Sequence, residues 1–340
     1  MRMRAKVVPP LLLAAALVAA CGSSGSSGST AGSGSSSGGG SSAAAAGASC
    51  PPVAGQQLVV LQDDKHLQAA DAIVPLVNSK TAQSQPAVIP ALDAVSAKLT
   101  TDALIQMNSA VDNDRKSATD VASAWVSQNK VTDGLQKGTG AVVVGGSNFT
   151  ESQILANVYA DVLKAAGFDA SVQAVGNRDL YLKALEAGEI QAFPEYLATV
   201  TEALNKQVNG PNATAVASGD ADATLAAAKP LAEKQGLTFG TPSKATDQNA
   251  FAVTKAFADQ HKVSTLSQLA AACGSGLVLG GPTECPTRPF CQPGLEQTYG
   301  LKFSGFKQLD AGGPLTKTAL KQGQVSIGLI FSSDGSLAHS

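Results

Sequence analysis

Residues 141–202 constrain the fold most, because extended and helical patterns alternate there three times in succession. An apolar run at 141–144 leads into Gly145, Gly146 and a short polar corner. Ile154, Leu155, Val158, Tyr159, Val162 and Leu163 then recur at helical spacing. Thr150 with Gln153 three residues on reads as a capping box, Glu151 suits the positive helix end, and Gly167 is a stop. The pattern predicts a second strand over 171–175, a helix over 179–187 ended by Gly188, a third strand over 190–193 and a helix starting at Pro194. This β-α-β-α-β order is that of a parallel, doubly wound sheet. Ligands in such sheets gather at the carboxyl ends of the strands. Two polar corners lie there, 145–150 and 194–196, and on pattern alone they read equally well as ordinary strand-to-helix turns.

The start of the chain reads as a targeting segment over 1–20. Arg2, Arg4 and Lys6 precede an apolar run at 11–20 that is too short for a comfortable membrane span. Small residues then precede Cys21, as in a bacterial lipoprotein signal with lipidation at that cysteine; a plain secretory signal is the other reading. Residues 21–49 are almost all Ser, Gly and Ala. Such a segment buries too little apolar surface to fold and reads as a flexible linker with a reach of roughly 30 Å.

The chain has 24 Lys and Arg against 26 Asp and Glu. Loss of the leader makes the remainder more acidic, and no basic stripe is present, which excludes nucleic acid as a partner. Beyond Cys21 the cysteines are Cys50, Cys273, Cys285 and Cys291. An even number in an exported chain points to disulfides. Four cysteines allow three connectivities, which the sequence does not settle; proximity suggests Cys285 with Cys291, which leaves Cys50 with Cys273 by elimination. Zinc is the rival reading, but there is no CxxC pair, and His66, His261 and His339 are scattered. No metal or cofactor is expected. Nor is an enzyme, since HExxH, GxSxG and P-loop motifs are missing.

GGSNFTES, GNRD and LEAGEIQAFPEYLAT, in that order within 145–199, resemble the substrate-binding proteins of ABC importers for glycine betaine, choline and related osmoprotectants. The resemblance implies a two-lobed periplasmic-binding-protein fold of type II, α/β throughout, with a doubly wound sheet in each lobe. It implies a monomer on the outer face of the cytoplasmic membrane, lipid-anchored, that delivers a small solute to permease subunits. A lipid-anchored sensor or adhesion module on the same fold is an alternative. A second block, LVVLQDDKHLQAADAIVPLVN through VASAWV, resembles the family's carboxyl-terminal section yet precedes the family's usual start. A circular permutation accounts for that order. The expected lobes are 50–247, completed by 332–340, and 248–331.

A quaternary ammonium head carries a full charge and no N–H, so aromatic faces must hold it, at about 0.5–2 kcal/mol per ring. The chain offers 10 Phe, 4 Tyr and one Trp. The resemblance assigns Tyr196 to the cage and Thr199 beside it. Phe251 and Phe331 stand where the family usually has tyrosines, with lobe core as their other reading. Asn249 is the polar neighbour that draws Phe251 toward the pocket. Arg288 matches the anion-binding arginine, or is a solvated loop residue. Asn148, Thr150 and Ser152 lie at a helix N-terminus, where N–H groups favour an anion. Ser147 and Ser152 depart from the family's usual lysine and glutamine.

Overall fold

The computed structural model describes residues 48–339, so the leader, Cys21 and the linker up to residue 47 lie outside the described residues. The strands are β1 (Ala48–Ser49), β2 (Leu58–Leu61), β3 (Ile73–Asn78), β4 (Ala141–Gly146), β5 (Asp169–Ala174), β6 (Ala192–Tyr196), β7 (Leu237–Phe239), β8 (Asn249–Thr254), β9 (Cys273–Ser275), β10 (Leu277–Gly281), β11 (Phe303–Gln308) and β12 (Ile327–Phe331). The helices that matter below are α1 (Ser79–Ser84), α2 (Val88–Ser96), α3 (Thr101–Asp112), α4 (Ala118–Gln128), α5 (Thr150–Ala165), α6 (Arg178–Ala187) and α7 (Leu197–Asn209).

Two five-stranded mixed sheets form the body. The first runs β5-β4-β6-β3-β7, the second β11-β10-β12-β8-β2. β3 is antiparallel to both β6 and β7, and β8 is antiparallel to both β12 and β2. The first sheet is covered on both faces, which is why β3 reads as an unbroken apolar run rather than an alternating one. Ile73 and Val77 face a core with Leu92, Trp125, Ile154 and Tyr159. Val74 and Leu76 face the other, with Leu182, Phe193, Leu197 and Leu237.

Local signals explain most helix ends. Ser117 Oγ accepts the N–H of Asp120 at 3.0 Å, Thr100 Oγ1 that of Ala103 at 3.2 Å, and Gly188 closes α6 at φ 77°. Two expectations change. The cap of α5 is Phe149, not Thr150, which is the first helical residue; Gln153 instead donates its side-chain amide to the carbonyl of Ser147. Pro194 lies within β6 and faces Pro75 of β3, so α7 starts only at Leu197.

The larger correction concerns residues 48–62, which pack with the second sheet and its neighbouring strand β9 and not with a lobe of 50–247. β2 pairs antiparallel with β8, Leu61 opposite Phe251. β1 pairs with β9, and the disulfide Cys50–Cys273 ties the same segment to the helix Leu266–Ala272 and its following strand. Burial decides this: Leu58 packs with Ala250, Ala252 and Ile330, and Leu61 with Phe251, Val253 and Leu279. The chain therefore passes between the sheets three times, at 62–72, at 240–248 and after Phe331. The passages are stitched together. Asp247 N–H donates to the Asp71 carbonyl at 3.1 Å, and Ser332 N–H to the Gln248 carbonyl at 2.9 Å. Ser332 Oγ also accepts from Gln248 N–H at 3.0 Å.

Candidate functional site

A cavity of about 770 Å³ opens beside these passages, lined by Asp71, Arg178, Thr199, Asp247, Asn249, Arg288 and Phe331 among others. A smaller pocket of about 200 Å³ adjoins it, sharing Asp71, Arg178, Thr199, Asp247 and Phe331 and adding Ser147, Phe149, Tyr181 and Tyr196. The aromatic faces come from two strand ends and a corner. Tyr196 ends β6, Phe331 ends β12, and Phe149 precedes α5. Phe149 and Tyr196 lie 6.1 Å apart, tilted by 37°. Phe149 is 46% and Phe331 38% exposed, whereas Tyr196 is 7% exposed. Large rings left open to a cavity are unusual inside a folded chain and mark a recognition surface.

Tyr196 is fixed from behind. Its hydroxyl donates to Glu151 Oε1 at 2.8 Å, and its N–H to Glu195 Oε2 at 2.9 Å. Glu151 is buried and also accepts from Asn108 Nδ2 at 2.7 Å. Burial pushes its carboxyl above the usual range against these hydrogen bonds, and it pushes the Tyr196 phenol well above its own. Beneath the pocket Tyr181 stacks on Phe193 at 3.8 Å. Gly145 is needed at the end of β4, because a Cβ there would meet Ile190 at 2.5 Å and Phe193 at 2.8 Å.

The charges were only partly legible in the sequence. Arg178, the first residue of α6, bridges to the fully buried Glu195 at 3.2 Å. Asp71 caps α7 from outside that helix: Thr199 N–H donates to its Oδ1 at 3.0 Å, and the Thr199 hydroxyl donates to Oδ2. Burial pushes the Asp71 carboxyl up to about 6, the Thr199 hydrogen bonds opposing. Asp247 is pushed up to about 8, by burial first and by the nearby Glu151 second. Its Oδ1 is buried and, among the described residues, without a hydrogen-bond partner. Phe149 lies within the 145–150 corner and Asp71 within the second matched block, but nothing in the pattern gave either a role. Asp247 is the last residue before the expected lobe boundary at 247/248, and that neighbourhood is the available hint.

Of the residues expected to bind ligand, Tyr196, Thr199, Asn249, Arg288 and Phe331 line the two pockets. Phe251 does not. It is 1% exposed and packs in the second core with Leu61, Leu279 and Cys285. Asn249 and Phe251 share a face of β8, but Asn249 stands at the strand's open start and Phe251 one repeat deeper. Asn148 is exposed but lines neither pocket, and Thr150 turns away to donate to Asp112 Oδ1 at 2.7 Å. Ser152 is fully buried and accepts the Ser147 N–H at 2.8 Å. This helix end therefore braces its own corner instead of presenting an anion site. Arg288 sits in the loop closed by Cys285–Cys291, 3.7 Å from Glu284. Among the described residues the one His/Cys group is Cys50, His261 and Cys273, whose sulfurs are joined in the disulfide.

Two mixed sheets joined by three passages, with the cavity beside those passages, define a type II periplasmic-binding fold. YehZ from Escherichia coli shares it at a TM-score of 0.50 and 23% identity, covering 58% of this chain and 72% of that one. The profile of the substrate binding domain of the ABC-type glycine betaine transport system matches residues 51–128 and 140–339, and the chain belongs to that family. A glycine-betaine-binding protein of Pseudomonas aeruginosa is 30% identical over 207 residues, covering 57% of this chain. The match spans 62% of that relative's length. The family is one of substrate-binding proteins, not of enzymes.

Proposed function

We propose that the protein is an extracytoplasmic solute-binding protein that captures a quaternary ammonium solute of the glycine betaine or choline class and passes it to an ABC permease. The observation that carries this is the pairing of two open aromatic rings, Phe149 and Phe331, and the buried Tyr196 that lines the same pocket, with two carboxylates, Asp71 and Asp247. Aromatic faces suit a cation without N–H groups, and carboxylates supply the opposite charge. The larger cavity adds Arg288, which suits a solute carrying an anionic end. Isothermal calorimetry with choline and glycine betaine tests it: saturable one-to-one heat without turnover is expected, and no binding of either compound sinks the proposal.

The same reading takes the chain as a circular permutant, lipid-anchored through Cys21. Support for the permutation comes from the family profile matching in two separate segments. It comes also from the residues after β12 packing on α3, where Asn108 Nδ2 donates to the Ser333 carbonyl at 2.9 Å. Rejoining the segments in the opposite order should give a folded protein with the same ligand profile; a chain that cannot fold in that order argues against it. No helix among the described residues is long and apolar enough to cross a membrane. The lipid anchor is supported by the residues before Cys21 alone.

A further inference from the structure

Asp247 stands out among the cavity groups. It reaches the pocket from the second passage between the sheets, and its Oδ1 is buried with no hydrogen-bond partner among the described residues. The groups around it are mostly acidic. Glu151 approaches from α5, Asp71 from the first passage and Asp334 from beyond β12, while a hydrogen bond from Ser333 opposes their effect. The nearby cations are committed elsewhere: Arg178 to Glu195 at 3.2 Å and Lys317 to Asp334 at 2.9 Å. Among the described residues Asp247 enters no ion pair. A desolvated carboxyl crowded by like charges keeps its proton, in keeping with its upward shift to about 8. An unpaired buried acceptor beside open aromatic faces is a vacancy of charge that a cationic guest fills.

We propose that Asp247 is the counter-ion of the bound cation, and that capture of the cation expels the proton from its carboxyl group. The inference rests on the proposed quaternary ammonium ligand. The step balances: the carboxyl O–H bond breaks, its electron pair stays on oxygen, the proton leaves to water, and the ligand's fixed charge replaces it. A quaternary head has no proton to give or take, so the released proton is the protein's. Linkage sets the sign. The ligand prefers the ionised form, so affinity rises with pH, at most about tenfold per pH unit, and levels off above the free protein's titration near 8. Asp71, held lower at about 6 and already bonded to Thr199, contributes only at the acidic end.

The test is calorimetry of the full-length protein with choline and with tetramethylammonium at pH 7, in buffers of different ionisation enthalpy. The expected result is release of nearly one proton per ligand, a choline Kd falling several-fold or more from pH 6 to pH 8, and loss of both effects in Asp247→Asn. If that variant fails to fold, absence of proton release from the unmodified protein still overturns the proposal. Choline binding with no proton released overturns the proposal and leaves the ligand class standing. Release that persists in folded Asp247→Asn also overturns it, moving the role to another carboxyl. If neither cation binds, the ligand class itself fails and this inference falls with it.

Discussion

The backbone N–H of Asp247 donates to the carbonyl of Asp71 at 3.1 Å, and both side chains reach the same two pockets. One residue lies on the passage from β2 to β3, the other on the passage from β7 to β8. Wherever the two sheets move relative to each other, this hydrogen bond sits at the pivot, and the acidic pair moves with it. Closure about such passages is the expected motion of a two-sheet binding protein.

The acidic pair makes stability depend on pH. Both carboxyls are raised in the folded state, to about 6 and about 8. The unfolded chain ionises near the ordinary value, so between about pH 4 and pH 8 the folded state binds more protons. Stability of the ligand-free protein should therefore fall as pH rises through that window. Thermal melts from pH 5 to pH 8 should show a declining Tm, and Asp247→Asn should flatten the decline. A Tm that rises steadily across that range contradicts the assignment.

Tyr196 has two jobs that substitution separates. Tyr196→Phe keeps the ring but leaves the buried Glu151 without its 2.8 Å donor. It should cost about 1–3 kcal/mol of stability with little change in choline affinity. Tyr196→Ala removes the ring and should weaken choline by about 1–3 kcal/mol. Denaturant titration and calorimetry on the same two variants read the two effects; equal affinity losses would place Tyr196 outside the ligand contact.

Arg288 lines the larger cavity from the disulfide-closed loop. Arg288→Ala should weaken glycine betaine, which carries a carboxylate, more than choline, which does not. Competition binding of the two ligands checks this, and equal losses would make Arg288 a structural residue of its loop, held by Glu284.

The two disulfides should differ in stability. Cys50–Cys273 closes a sequence separation of 223 residues, Cys285–Cys291 one of 6. In the chain-entropy account these constrain the unfolded state by about 5 and about 2 kcal/mol. Paired Cys→Ser replacement at each bridge, followed by urea unfolding, should show the larger loss at Cys50–Cys273. The reverse order would show that strain or residual unfolded structure dominates.

Cys21→Ser should release the protein from membranes, read by fractionation of cells. Retention at the membrane would remove the lipid anchor from the proposal.

The sequence by itself determined the local elements and one side of the site. Helical spacing and Ser117 set α4, Gly188 ended α6, and the PEY corner carried Tyr196 and Thr199 to the cavity. These signals are local: a cap or a left-handed glycine acts within one turn of chain, so it is visible in the residues themselves. Only the tertiary structure decided that β2 joins the second sheet, because that choice rests on Leu58 and Leu61 fitting apolar surface supplied by Ala252, Phe251 and Leu279. With it came a third passage between the sheets, and on that passage Asp71 arrives opposite Asp247. Phe251 shows the same limit from the other direction. Strand periodicity puts it on one face with Asn249, but depth along the strand is set by what packs over it, so one residue lines a cavity and the other fills a core. Burial is a property of the assembled surfaces, and the unpaired carboxyl of Asp247 follows from burial.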